Sequence, residues 1–341
     1  MGYSMRAPRF EGNGKITWHE EEVADPGPGE LLIQVAANSL CGSDRNQFYQ
    51  GSRVVPGHEA SGIVVAVGTG TTVQAGTPGV IFLMDFCGEC RNCLAGRTNL
   101  CHAKRADMGF THNGGYGQYM TVHENIFFPI DVDLPLVEAT MLLDIMGTGG
   151  HAISRGKQVH PDIQSVAISG AGPIGLGVLA MIRTVLDANL PVFITDMVPY
   201  RLEIAERLGA IPVNLKESTL DVAIRNHGLA SVDMAVDTSG KTIARQASLA
   251  VLARPGVLIC VGHGEALNLN VSQDLIGPEH SVLGSEYFAF DELAENLPRL
   301  RENLDYFGQI ITHRFAIDEL QKAYELFFAG ETGKVVVQHG D

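Results

Sequence analysis

The chain has 341 residues, 45% of them hydrophobic, and a formal net charge of −15. This length is enough for two domains with buried cores, and the acidic balance argues against a nucleic-acid-binding protein, which needs a basic surface. No apolar run approaches the length of a membrane span and the first residues contain no secretory signal. Together with cysteines expected to be reduced, these features predict a cytoplasmic protein without membrane or nucleic-acid partners.

The first part of the chain predicts a mostly antiparallel β domain, because short β-rich segments such as 31–36 and 62–67 alternate with Gly and Pro turns. Cys41 stands here in LCGSD, and His58 and Glu59 stand in VPGHEASG. Each residue alone would be unremarkable, since buried free cysteine is common and a His-Glu pair is usually solvated. Together they offer a thiolate, an imidazole and a carboxylate, donors typical of a catalytic zinc site that leaves a position for substrate.

A second metal site is predicted from a cluster of cysteines in the stretch FCGECRNCLAGRTNLC. The cluster consists of Cys87, Cys90, Cys93 and Cys101. Four thiolates joined by short, turned spacers suit tetrahedral zinc and leave no open position, so the site is expected to be structural. Disulfides fit poorly because cysteines three apart in a glycine-bearing loop cross-link badly. A zinc knuckle for nucleic acid is disfavoured by the net charge.

Near residue 147 the pattern changes to apolar strands separated by helix-length segments, which predicts a parallel, doubly wound sheet. The predicted strands are 165–169, 192–195, 232–236 and 257–261. Cys260 lies in the last of these and is interpreted as a core residue.

The first of these strands runs into a glycine-rich turn followed by an apolar helix, which predicts a dinucleotide-binding site. The turn comprises Gly170, Ala171, Gly172, Pro173, Ile174 and Gly175. Asp196 follows at the end of the next predicted strand, at the expected distance for an acid that binds the adenosine ribose and repels a 2′-phosphate. This pattern predicts NAD rather than NADP. Arg201, one helical turn on, could reach the same ribose, although a solvated surface arginine fits the pattern equally well.

The combination of CGSD, GHE, the four-cysteine lobe and GAGPIG resembles the zinc-dependent medium-chain alcohol dehydrogenase family over essentially the whole chain. The resemblance implies an α/β protein in which a GroES-like catalytic domain (1–146) is interrupted by a Rossmann cofactor domain (147–286) and completed by 287–341. It implies a catalytic zinc held by Cys41 and His58, with Glu59 as a ligand or close neighbour. The position of a further family ligand is taken by Asp144. An Asp there is closer to the polyol (sorbitol) and threonine dehydrogenase branches than to ethanol-oxidising members.

The same resemblance assigns further roles. Ser43 matches the hydroxyl that takes the substrate proton, and Asn46 stands where the family carries the histidine that ends the proton relay. Asn does not titrate, so proton release must follow another route. Lys334, in TGKVVV, matches a cation that approaches the cofactor pyrophosphate. Family members of this length are commonly tetramers, which implies a homo-oligomer.

We therefore expect an NAD-dependent zinc enzyme that oxidises a secondary alcohol of a polyol, cyclitol or sugar derivative. L-Threonine or a simple secondary alcohol is the alternative substrate. A zinc-free quinone or enone reductase would lack Cys41, His58 and the cysteine lobe. A non-enzymatic binding protein on a decayed scaffold would be expected to lose a ligand or a fingerprint glycine, and none is missing.

Overall fold

The computed structural model describes residues 3–340, and its strands follow the apolar segments of the sequence. In chain order, the strands are β1 (Tyr3–Gly12), β2 (Lys15–Val23), β3 (Glu30–Ser39), β4 (Ala60–Val67), β5 (Pro78–Ile81), β6 (Met84–Asp85), β7 (Ala106–Asp107), β8 (Tyr119–His123), β9 (Phe127–Pro129), β10 (Val166–Ser169), β11 (Val192–Asp196), β12 (Ile211–Asn214), β13 (Val232–Asp237), β14 (Leu252–Cys260), β15 (Ser281–Gly284), β16 (Ile311–Ala316) and β17 (Lys334–Gln338).

The helices are α1 (Arg45–Gln50), α2 (Arg91–Leu94), α3 (Leu136–Ala139), α4 (Gly149–Val159), α5 (Pro173–Val185), α6 (Pro199–Arg207), α7 (Leu220–Asn226), α8 (Thr242–Ala250), α9 (Glu292–Glu302), α10 (Leu304–Gly308) and α11 (Leu320–Ala329). No helix within 3–340 is long and apolar enough to cross a membrane.

Two units divide the chain. The first runs through Leu143 and resumes over Ala289–Gly330 and from Lys334, and the second comprises Asp144–Phe288 with Glu331–Gly333. The sequence placed the corresponding breaks after residues 146 and 286. The C-terminal segment thus returns to the first unit, as a GroES-like domain interrupted by a cofactor domain requires.

The first unit contains a sheet with the order β16-β17-β3-β4-β5-β9, and β8 also pairs with β3. Its pairings are antiparallel except for the parallel pair β16 and β17. Strand β3 is buried along most of its length, in keeping with its central place in the sheet. Rings of Phe10, Phe48, Tyr116 and Tyr324 form part of a buried hydrophobic cluster beside it.

The second unit contains a parallel sheet with the order β12-β11-β10-β13-β14-β15. All four residues of β10 are buried, because helices cover both faces of such a sheet and its strands are apolar without alternation. The strand order reverses next to β10. The crevice at such a switch point, outside the carboxyl ends of the strands, is where doubly wound sheets bind ligands. The predicted parallel sheet is confirmed.

Candidate active site and metal centres

Cys41, His58 and Glu59 come together because the strands that flank them, β3 and β4, are paired. Strands β3 and β4 are antiparallel, with Asn38 opposite Ala60, so the end of β3 lies beside the beginning of β4. Cys41 follows β3 by two residues, and His58 and Glu59 lead directly into β4. All three ligand candidates therefore lie at one end of the sheet, and all three are buried.

Asp144 completes this group, which we call the mixed-ligand site. It lies in a π-helical turn, Leu143–Thr148, and its carboxylate lies within 4.8 Å of the ligand atoms of Cys41, His58 and Glu59. Burying a thiolate and two carboxylates together would be unfavourable without a cation. One sulfur, one nitrogen and carboxylate oxygens are a donor set that zinc accepts. The residues fit a zinc ion.

Asp44 is a further candidate site residue, which stands in LCGSD but has no role in the sequence prediction. It is fully buried at the end of a 3-10 turn, Gly42–Asp44. Its Oδ1 lies 3.2 Å from Nδ1 of His58, and its Oδ2 accepts the backbone N–H of Cys41 at 3.2 Å. A carboxylate that engages Nδ1 fixes the imidazole and leaves Nε2 for a metal. The sequence signal that could have identified Asp44 is an acidic residue three positions after the candidate ligand Cys41.

Lys334 was predicted to approach the cofactor pyrophosphate, which stays a prediction, and the structure shows its side chain at Glu59. Lys334 begins β17 and is fully buried, and its Nζ donates to Oε1 of Glu59, which is also fully buried. The pairing follows from sheet order, because β17 lies antiparallel beside β3 and the N–H of Leu40 bonds the carbonyl of Val335. The ammonium group is therefore used to neutralise Glu59 at the mixed-ligand site.

The four cysteines of the lobe form a second group of metal ligands, which we call the thiolate site. Neighbouring Sγ atoms lie 3.5 to 4.0 Å apart. A disulfide would need about 2.05 Å, whereas four sulfurs about 2.3 Å from one tetrahedral ion are separated by about 3.8 Å. None of the six cysteines, all of which lie within the described residues, forms a disulfide. The geometry fits a closed tetrahedral zinc site.

Backbone amides prepare this site for thiolates. The N–H groups of Cys87 and Cys90 point at Sγ of Cys101 and Cys87, each at 3.3 Å. Backbone hydrogen bonds, first from Cys93 and then from His102, lower the pKa of Cys90 to about 6. Burial, followed by hydrogen bonding among the neighbouring thiols, raises the pKa of Cys93 to about 12. One thiolate is thus favoured before a metal binds, and a cation is needed to hold all four.

The glycine-rich turn has the geometry of a phosphate-binding loop. Gly170 has a φ of +98°, which favours glycine, and a Cβ on Gly175 would lie 1.9 Å from the carbonyl oxygen of Gly170. A Cβ on Gly172 would find only Nη1 of Arg201 within 4 Å, at 3.9 Å. The first and third glycines thus serve the turn and its packing, while the second leaves open space before α5. These residues fit the pyrophosphate of a dinucleotide.

Asp196, at the end of β11, is fixed against this turn. One carboxylate oxygen accepts the N–H of Ala171 at 2.8 Å, and the other accepts the N–H groups of Met197 and Val198 at 2.7 and 3.0 Å. Arg201 lies beside the turn, where its Nε donates to the carbonyl of Thr332 at 3.3 Å. Burial lowers the pKa of Arg201, and the charge of Asp196 partly offsets this effect.

Ser43 and Asn46 are both exposed near the mixed-ligand site. Ser43 lies in the turn Gly42–Asp44, two residues after Cys41, and Asn46 lies in α1 one helical turn later.

Cys260 ends β14 and is half-buried rather than fully enclosed. Fold and ligand groups together define a zinc-type dehydrogenase with a nucleotide-binding domain.

Comparisons with known proteins agree with this class. Residues 27–132 match the family described as the alcohol dehydrogenase GroES-like domain, and residues 148–339 match the glucose dehydrogenase C-terminus. The chain is 27% identical to an uncharacterized zinc-type alcohol dehydrogenase-like protein of Escherichia coli, with 99% of each chain covered. It is 32% identical to the L-threonine 3-dehydrogenase of Saccharopolyspora erythraea, covering 93% of this chain and 94% of that one.

Solved structures have the same fold. An Escherichia coli alcohol dehydrogenase in complex with NADH superimposes with a TM-score of 0.88 at 23% identity, over 98% of this chain and 99% of that one. The L-idonate 5-dehydrogenase of Escherichia coli gives 0.86 at 22% identity, over 99% of both chains. A zinc-binding dehydrogenase from Sinorhizobium meliloti bound to NADP gives 0.83 at 26% identity, over 98% and 99%.

The chain belongs to the zinc-dependent medium-chain alcohol dehydrogenase family, and it is an oxidoreductase of the alcohol dehydrogenase type. The predicted family, the GroES-like and Rossmann architecture and the enzymatic nature of the protein are confirmed.

Proposed function

We propose that the protein uses NAD to oxidise a secondary alcohol of a polyol, cyclitol or sugar derivative at a catalytic zinc ion. The observation that carries the proposal is the mixed-ligand site, whose four different residues converge at one buried point. When bound, zinc would act as a Lewis acid at the substrate hydroxyl and NAD would accept the hydride. Cys41 and His58 would hold the metal, with Glu59 and Asp144 as direct or water-mediated ligands.

Charge balance supports ionised groups at this site. Within the ligand group itself, Cys41, Glu59 and Asp144 supply three negative charges when ionised, and a zinc ion with the buried ammonium of Lys334 supplies three positive charges. The neighbouring carboxylate of Asp44 adds a further negative charge, which is stabilised by hydrogen bonding that includes the N–H of Cys41. Buried charges are tolerated when they are paired. Lys334 therefore stabilises Glu59 as a carboxylate whether or not Glu59 binds the metal directly.

Ser43 is proposed as the group that takes the substrate proton, since its exposed hydroxyl follows the ligand Cys41 by two residues. A hydroxyl group can accept one hydrogen bond while it donates another, so it can take a proton from the substrate and pass its own proton on. Asn46 lies one helical turn away and cannot titrate, so the proton must leave through water or another base.

NAD preference is proposed from Asp196. Three backbone N–H groups hold its carboxylate at the edge of the glycine-rich turn. Each carboxylate oxygen offers two acceptor sites, so capacity remains for ribose hydroxyls, while a 2′-phosphate would meet a fixed negative charge. Arg201 is proposed as a second contact beside the turn, where its positive charge would partly relieve this repulsion.

The substrate class is supported by Asp144 in the ligand group and by structural likeness to L-idonate 5-dehydrogenase. A specific observation also favours L-threonine: the relative from Saccharopolyspora erythraea at 32% identity is an L-threonine 3-dehydrogenase. The two candidates differ chemically, because threonine brings an ammonium and a carboxylate that a neutral polyol lacks.

The test is a screen of polyols, inositols, aldoses, sugar acids, L-threonine and short alcohols with NAD and with NADP, followed by absorbance at 340 nm. Turnover of a polyhydroxy compound with NAD supports the proposal, and exclusive turnover of L-threonine supports the alternative. The His58→Ala variant should bind NADH without turnover. Turnover by that variant at the native rate would exclude the mixed-ligand site as the reaction centre.

Two zinc ions per chain are proposed, one at each ligand group, in a cytoplasmic protein whose thiolates stay reduced. Elemental analysis of active protein that gives one zinc or none would contradict this count.

A homo-oligomer, most simply a tetramer, is proposed because β12 and β15 are edge strands that need a cover or a partner. Light scattering that gives 36.6 kDa, the mass of one chain, would reject the oligomer.

A further inference from the structure

Two buried phenols lie behind the mixed-ligand site. Tyr324, on α11, has its hydroxyl oxygen 2.7 Å from Oδ2 of Asp44, and the hydroxyl of Tyr116 lies 3.3 Å from the same atom. The two phenol oxygens lie 2.8 Å apart. Tyr116, Tyr324 and Asp44 are all completely buried.

The phenols are held as hydrogen-bond donors to a carboxylate that can only accept. Burial, followed by the charge of Asp44, raises the pKa of both Tyr116 and Tyr324 well above the ordinary phenol value. Both hydroxyls therefore stay protonated. Hydrogen bonds from protonated groups to an ionised carboxylate are stronger than neutral ones, and they direct the carboxylate oxygens.

Asp44 connects this pair to two ligands of the mixed-ligand site. Oδ2 accepts the Cys41 N–H in addition to the phenols, while Oδ1 faces Nδ1 of His58 at 3.2 Å. Fixing Oδ2 fixes the plane of the carboxylate, and that plane decides where Oδ1 points. The orientation of the His58 ring therefore depends on hydroxyls from two distant segments of the chain.

We propose that Tyr116 and Tyr324 are positioning residues for the metal ligand His58, acting through Asp44 to set the zinc affinity of the mixed-ligand site. The inference rests on the proposed catalytic metal and not on any choice of substrate. The proposed positioning role belongs to the two hydroxyl groups and is separate from the packing of the two rings. The rings already fill an aromatic cluster with Phe10 and Phe48, whose centroids lie 5.4 and 5.1 Å from that of Tyr324.

A Tyr→Phe substitution separates the two roles, because it keeps the ring and removes only the hydroxyl. We would prepare Tyr324→Phe, Tyr116→Phe and the double variant, with Asp44→Asn as the variant in which the charge itself is lost. Tyr49→Phe is the matched control. The Tyr49 ring lies at the edge of this cluster, with its centroid 5.0 Å from that of Phe48, but its side chain is exposed.

The measurement is zinc affinity by chelator competition on the full-length holoprotein, with Co(II) absorption to tell a one-thiolate site from a four-thiolate site. Loss of an outer partner of a metal ligand typically weakens binding 10–100-fold. We expect Tyr324→Phe to raise the dissociation constant of the mixed-ligand site by about tenfold or more, Tyr116→Phe less, and Asp44→Asn more. The thiolate site should be unchanged in every variant, and Tyr49→Phe should match the native protein.

Native affinity in the double variant, with two metals bound, would overturn the inference and leave the proposed function intact. Equal weakening of both metal sites, together with a lower melting temperature, would also overturn it, because that result indicates general destabilisation. A native protein that binds metal only at the thiolate site would refute both the inference and the catalytic zinc. If Tyr324→Phe does not fold, native zinc affinity of the mixed-ligand site in both Tyr116→Phe and Asp44→Asn would overturn the inference.

Discussion

Replacing Arg245 by Met should destabilise the second unit strongly. Arg245 lies on α8 with 8% of its surface exposed, and its Nε donates to Oδ2 of the fully buried Asp237 at 2.7 Å. Its remaining guanidinium nitrogens donate to the carbonyls of Gly262 and Glu265. One side chain thus connects the end of β13 with the loop that follows β14, at the carboxyl edge of the parallel sheet.

The size of the expected loss in unfolding free energy depends on the hydrogen bonds that Asp237 keeps when Arg245 is removed. Removing one partner of a buried ion pair costs about 3 to 5 kcal/mol, because a buried charge is left uncompensated. Asp237 keeps the N–H and Oγ–H of Ser239 at 2.9 and 2.6 Å and the N–H of Gly240 at 3.2 Å. We therefore expect the lower end, about 3 kcal/mol. In a unit of this size, that loss corresponds to a fall of about 6 to 12 °C in melting temperature.

The measurement is the melting temperature, determined by calorimetry for the native protein, for Arg245→Met and for the control variant Arg225→Met. Arg225 pairs with Asp221 within α7, where the two side chains are 60% and 47% exposed, so its loss should cost less than about 1 kcal/mol. Asp237→Asn should resemble Arg245→Met. Equal melting temperatures for Arg245→Met and the Arg225→Met control would refute the reasoning, since burial is the main difference between the two pairs.

Three further predictions concern metal, cofactor and proton transfer. Cys93→Ser should break the thiolate site, lower the zinc content by one ion per chain and reduce thermal stability, as elemental analysis and calorimetry would record. Asp196→Ser should lower the ratio of kcat/KM for NAD over NADP, and a native enzyme that prefers NADP would contradict the argument. Ser43→Ala should slow alcohol oxidation by about 10²-fold or more while Asn46→Ala changes the rate little; a large kcat loss at unchanged KM in Asn46→Ala would contradict this assignment.

The sequence predicts elements well where hydrophobicity alone decides them. The apolar segments predicted at 192–195 and 232–236 became β11 and β13. The glycine-rich turn could also be predicted from the sequence, because each of its glycines is required by local steric constraints. Both metal groups were predictable because their ligands are close in the sequence or at the ends of neighbouring strands. The four lobe cysteines follow one another at short spacings, and Cys41 and His58 flank β3 and β4, which are consecutive in the chain.

Side-chain partners from distant segments were not predictable. Lys334 reaches Glu59 only because β17 pairs with β3, and no local pattern specifies that pairing. Asp44 stands in a recognised motif, but its role depends on a buried contact with His58 and on the hydroxyl of Tyr324. Such partners depend on the order of strands in the sheet and on desolvation, which follow from the whole fold.

The distance of 275 residues between Glu59 and Lys334 has a consequence for biosynthesis. A chain leaving the ribosome contains Cys41, His58 and Glu59 long before α11 and β17 have been made. The thiolate site joins cysteines at most 14 residues apart and needs no later segment to supply a ligand. The two metal centres should therefore mature at different stages, the thiolate site early in synthesis and the mixed-ligand site only once β17 has been made and has paired with β3. A nascent chain stalled before β17 that binds metal at both sites would contradict this order.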